Sequence, residues 1–73
     1  MIYSIYLTPT AINDIQDGLE FYNSHSAKLG FRFADEVDDA LQAIAIMPTT
    51  YSYRYKNVRG KQVKNFLILF FIS

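Results

Sequence analysis

Residues 33–56 read FADEVDDALQAIAIMPTTYSYRYK, and the hydrophobic period changes inside this stretch. Phe33, Val37, Ala40, Leu41, Ile44 and Met47 recur at the spacing of one helical stripe. Asp35, Glu36, Asp38 and Asp39 fall mostly on the opposite face. Pro48 then disfavours further helix at the residue before it. From Tyr51 the period is two: Tyr51, Tyr53 and Tyr55 fall on one side of a strand, and Ser52, Arg54 and Lys56 on the other. An amphipathic helix running into alternating strand is the pattern of helices packed on a sheet.

Working outward, the stripe predicts a helix over Ala27–Ile46, with Ser24 or Ser26 as its cap. The polar break Asn23-Ser24-His25-Ser26 separates it from an earlier helical pattern at Ala11, Ile15, Leu19 and Tyr22. That first helix is predicted over Pro9–Ser24, with Thr8 as N-cap and Pro9 in the first turn. Asp14 and Asp17 are read as early-turn acids favoured by the helix dipole. Gly18 costs about 1 kcal/mol against Ala in a helix interior, which points to a close helix–helix crossing there. Upstream, Ile2–Leu7 reads as a strand. Downstream, Arg59-Gly60 reads as a turn, and Gln62–Ile72 as a second strand that ends wholly apolar.

The expected order is strand, αα-hairpin, β-hairpin. This is an α+β fold of one domain over residues 1–73, with both helices on one face of a small antiparallel sheet. A chain this short buries only about 60% of its unfolded surface, so its margin of stability is small. It has no cysteine, which removes disulfides and thiolate metal sites and fits a cytoplasmic protein. The longest apolar run, Phe66–Ile72, is far below the roughly 20 residues of a membrane-spanning helix.

Net charge is zero but unevenly spread. Residues 1–50 carry all seven acids with Lys28 and Arg32, and residues 51–73 carry Arg54, Lys56, Arg59, Lys61 and Lys64 with no acid. Two explanations stand: the halves complement each other across the fold, or the basic half meets an anionic partner. The five cations sit among tyrosines, a combination that neutralises phosphates and stacks on bases. It is more often the pattern of a wet strand alternating with core aromatics. The acidic set lacks the histidines or further acids of a metal site, and His25 lies in a turn without a nucleophile motif around it. No glycine-rich phosphate loop is present, and no cofactor is expected. An apolar strand with nothing after it leaves an edge that invites pairing, which marks Phe66, Ile68, Phe70 and Ile72 as partner-edge candidates, including for homo-oligomers.

Several motifs, in order, resemble the RelE/ParE toxins of type II toxin–antitoxin systems. Leu7-Thr8-Pro9-Thr10-Ala11, Asp14-Ile15 and Phe21-Tyr22 are similar to their opening. Phe31-x-Phe33 with Val37, Leu41, Ile44 and Pro48 is similar to their second helix. Tyr55-Lys56-Asn57-Val58-Arg59 and Val63-Lys64-Asn65-Phe66 are similar to their central hairpin. The resemblance implies a plasmid-stabilisation toxin bound by a cognate antitoxin, with DNA gyrase as target in the ParE-like branch. The RelE-like branch implies a ribosome-dependent mRNA endonuclease. Arg54, Lys56 and Arg59, then Lys61 and Lys64, are the target-contacting residues it carries over. The chain departs from the family where Leu67 follows Phe66 in place of a Pro and an aromatic. It also reaches Ser73 without the family's further strand bearing a His or Tyr and an Arg. A C-terminally shortened toxin, inactive or weakly active, or a non-toxic binding remnant, is the expectation that follows.

Overall fold

The computed structural model describes residues 3–64 and 66–72. The elements run β1 (Ile5–Leu7), α1 (Pro9–His25), α2 (Ala27–Ile46), a 3-10 turn (Pro48–Thr50), β2 (Tyr53–Tyr55), β3 (Val58–Val63) and β4 (Phe66–Ile72). The fold is α+β, and its antiparallel sheet has the order β1-β4-β3-β2. β1 is shorter than the predicted Ile2–Leu7 strand. Tyr3 and Ser4 lie outside it, and Ile2, Asn65 and Ser73 fall outside the described residues.

The helix boundaries follow from local chemistry. Thr8 is extended, and its Oγ1 accepts from the Ala11 amide at 3.1 Å. Its own amide donates to the Leu69 carbonyl at 3.0 Å, so one buried residue both caps α1 and ties it to β4. Thr8→Ala is expected to lower stability by about 0.5–2 kcal/mol, read from the shift of a urea midpoint, whereas Thr8→Ser should recover most of it. Ser26 serves both helices. Its amide donates to the Tyr22 carbonyl, ending α1, and its Oγ accepts from the Leu29 amide, starting α2. Asp14 and Asp17 lie beyond the first turn of α1, which holds no acid, so the dipole does not account for them.

The second half differs from expectation. Arg59-Gly60 is not a turn but the interior of β3, and Gly60 does not have a positive φ. The reversals fall at Lys56 (φ 47°) and Lys64 (φ 51°), non-glycine residues in the left-handed region. Gln62–Ile72 is therefore divided between β3 and β4, and three strands follow α2 rather than two. Gly60 is needed for a different reason: a Cβ there would lie 2.7 Å from Arg54 Cγ, because the Arg54 side chain crosses it.

The partner-edge reading of Phe66, Ile68, Phe70 and Ile72 also changes. β4 lies inside the sheet, with Leu7 opposite Phe70 and Ile5 opposite Ile72 on one side and β3 on the other. β1 returns alongside the apolar strand and closes the edge that the sequence left open. Ile68 and Phe70 are fully buried in a core with Ala11, Ala40, Ile44 and Val63. Phe66 stacks on Phe33 of α2 at 5.7 Å between ring centroids, and Ile72 packs against the core margin.

Candidate functional site on the uncovered sheet face

Strand alternation sends Phe66, Ile68, Phe70 and Ile72 toward the helices and Leu67, Leu69 and Phe71 away from them. Both helices lie on the first side. On the second side, register builds a row across all four strands: Tyr6 opposite Phe71, then Val58, then Tyr55 paired with Val58. The next row is Leu69 opposite Gly60 with the Arg54 side chain laid over the glycine, and the last is Leu67 opposite Gln62. Tyr6 and Tyr55 at the ends of the first row are 58% and 64% exposed. No acid occurs on any of the four strands. The result is an apolar platform with an aromatic at each side and a guanidinium across its middle.

A bulge between Tyr53 and Tyr55 makes this arrangement. Tyr53 stays in register with Arg59 on the helix side, while Tyr55 pairs with Val58 on the other. The predicted one-sided tyrosine row is therefore split, and so are the five cations. Arg59 turns inward: Nη1 donates to the Tyr51 carbonyl at 2.7 Å and the Thr49 carbonyl at 3.4 Å, and Nη2 donates to the Tyr53 hydroxyl at 2.8 Å. Its guanidinium also lies 3.9 Å from the Tyr53 ring centre. Lys61 stands over the Tyr51 ring at 5.1 Å, on the side of α2. Lys64 pairs with Glu36 at 3.2 Å. Lys56 sits at the β2–β3 turn, 5.4 Å above the Tyr55 ring. Of the five, only Arg54 and Lys56 belong to the uncovered face and its rim.

Arg59 is a clamp, not a free phosphate contact. Its fork ties the 3-10 turn and β2 to β3 through three oxygens. Arg59→Ala is expected to lower stability by about 1–2 kcal/mol, mostly through the lost charge-assisted bond to the half-buried Tyr51 carbonyl, the other two bonds being exposed. Arg59→Lys should recover little, since an ammonium cannot reproduce the planar fork. Hydrogen exchange at Tyr53–Tyr55 is the readout, and unchanged protection there would refute the clamp.

No protein-family model, no curated protein and no solved structure matches the chain.

The remaining polar groups are occupied locally. His25 Nδ1 donates to the Phe21 carbonyl at 2.9 Å, with its ring against Phe21, at the end of α1. Asp38 Oδ2 accepts from Gln42 Nε2 at 2.9 Å. Among the described residues, no group of three His, Cys, Asp or Glu side chains comes together. The platform therefore offers an anion contact, ring stacking and apolar burial. Among the described residues, no helix is long and apolar enough to cross a membrane. Sequence reasoning missed the platform itself, Leu67, Leu69 and Phe71 with Val58 and Tyr6. The signal was present in Phe66–Ile72, apolar at both parities although two helices suffice for only one sheet face.

Proposed function

We propose that the chain is a ParE-like toxin component of a type II toxin–antitoxin pair, acting in the cytoplasm, bound by an antitoxin and directed at DNA gyrase. The observation that carries this reading is the acid-free platform, where Arg54 lies across Gly60 and Lys56 stands at the rim. A bare apolar sheet face with cations on it suits a protein partner that brings carboxylates and apolar side chains. The order of the Leu7–Ala11, Phe31–Pro48 and Tyr55–Phe66 motifs supports it through their resemblance to the family. A second reading, a ribosome-dependent mRNA endonuclease, is favoured by the exposed Tyr6 and Tyr55 rings at the two edges of the platform, which suit base stacking.

Controlled expression in a bacterial host tests the first reading. Slowed growth short of full arrest is expected, and it should disappear when Arg54→Ala and Lys56→Ala are combined. Gyrase supercoiling assays on the purified protein should then show inhibition. Cleavage of ribosome-bound mRNA with gyrase unaffected would move the assignment to the second reading. Normal growth with folded, soluble protein present would sink both and leave a non-toxic binding module.

A further inference from the structure

The charges of the chain are sorted by layer. α1 and α2 hold all seven acids with Lys28 and Arg32, and the strands and their turns hold the other five cations and no acid. The fold itself uses only part of this separation. Lys64 pairs with Glu36, Lys61 rests on Tyr51, and Arg59 is held by its clamp. Among the described residues, Arg54 and Lys56 on the platform side take part in no ion pair, and neither do Asp35 and Asp38 on the helix side. These two sets lie on opposite outer faces, with the sheet and the core between them.

The helix face is shaped as well as charged. Between α1 and α2 a groove of about 220 Å³ is walled by Ile15, Leu19, Ala34 and Leu41 over a floor of Phe33 and Val37. Only helix residues line it, so it opens away from the sheet. Asp38 stands in its rim, and the exposed Asp35 lies one turn earlier on α2. The platform carries the matching parts. The half-exposed Tyr55 ring projects at its edge with the Lys56 ammonium 5.4 Å above it, and Arg54 lies beside them across Gly60.

Like faces of two copies oppose each other. Two platforms would bring Arg54 and Lys56 against the same cations, and two helix faces would bring Asp35 and Asp38 against the same anions. A platform on a helix face matches in sign and in apolar surface.

We propose that the platform of one copy of this chain docks on the helix face of a second copy. Tyr55 enters the groove between Leu19 and Leu41, and Arg54 and Lys56 meet Asp38 and Asp35. The contact is head-to-tail, so each added copy leaves one face free, and the assembly closes into a ring or continues as a filament. Four strands about 4.8 Å apart, each about five residues long, make a face of roughly 300 Å², well below the roughly 800 Å² per partner of a stable complex. Each contact is therefore weak, and salt loosens it further. The inference does not rest on the toxin reading, and its test reads mass and chemical shift in the purified protein, not growth.

Sedimentation velocity of the full chain is the test. Mean mass is expected to rise between about 10 μM and about 1 mM at low salt, and to fall back in about 0.5 M NaCl. Amide NMR over the same dilution series should shift both faces at once, around Tyr55 and Leu69 and around Leu19 and Leu41. A symmetric pair would shift one face alone. Two variants altered at exposed positions then separate the faces. Arg54→Ser with Tyr55→Ser disables the platform, and Asp35→Lys with Asp38→Lys disables the helix face. Each variant alone should self-associate at least about tenfold more weakly. Mixed, the intact platform of one docks on the intact helix face of the other, and growth stops at a one-to-one pair. A chain that stays monomeric at about 1 mM in low salt, or shifts on one face only, would overturn the proposal. So would undiminished assembly of either variant, or a mixture of the two folded variants that fails to pair.

Discussion

Phe70→Ala is expected to remove about 3–5 kcal/mol of stability, the largest loss of any substitution considered for this chain. Phe70 is completely buried, lies opposite Leu7 and Arg59 in the sheet, and meets Tyr51 edge-on at 6.1 Å between ring centroids. Its ring joins the helix layer to three strands, so the cavity left by truncation has walls that cannot all collapse together. Domains hold roughly 0.05–0.15 kcal/mol per residue, or about 4–11 kcal/mol for a chain of this length. The substitution consumes a large part of that. Urea denaturation followed by circular dichroism measures it, with Phe71→Ala as the control. Phe71 is the next residue of the same strand but points to the uncovered face, and its loss should be clearly smaller. Equal losses would mean that β4 does not bury the side assigned to it.

Gly18→Ala is the second large effect, and its sign is opposite to helix propensity. Exchanging glycine for alanine inside a helix gains about 1 kcal/mol when nothing else changes. Here the added methyl would lie 2.5 Å from the tip of the Phe33 ring, and 3.0 Å from its two neighbouring carbons. The ring cannot swing away freely, because it is buried between Tyr22 and Phe66. Overpacking of this kind costs roughly 1–3 kcal/mol, so a net loss is expected for alanine and a larger one for Gly18→Leu. Gly18→Ala combined with Phe33→Leu should restore part of the loss, since the shorter side chain vacates the contested space. A stabilising Gly18→Ala would show that the helices do not approach each other through this pair.

The helical half was legible because its signals are local. The Phe33–Met47 stripe, the Thr8-Pro9 start and the Ser26 cap each act within one or two turns, and α2 runs over the predicted residues while α1 extends one residue further, to His25. The strand half was not, because its decisive features are non-local. Arg59-Gly60 has the composition of a turn, yet the glycine serves the Arg54 side chain crossing from a neighbouring strand. The true reversals place Lys56 and Lys64 in the left-handed region, and lysine is not among the residues whose chemistry marks such a position in a sequence. The five cations looked like one cluster because period two gives the side of a strand and not its neighbours. Only the bulge before Tyr55 decides that Arg54 reaches the platform while Arg59 is held by Thr49, Tyr51 and Tyr53.

The position of β4 between β1 and β3 also sets a constraint on synthesis. Leu7 meets Phe70, a partner 63 positions later in the chain, so β1 leaves the ribosome long before anything exists for it to pair with. The αα-hairpin can form early from local contacts, but its apolar face has no sheet to rest on until residues 66–72 emerge. A nascent chain halted before Phe66 would therefore expose the Phe33–Val37–Ile44 stripe and remain a substrate for chaperones and proteases. The domain is gained in one late step, when its central strand arrives.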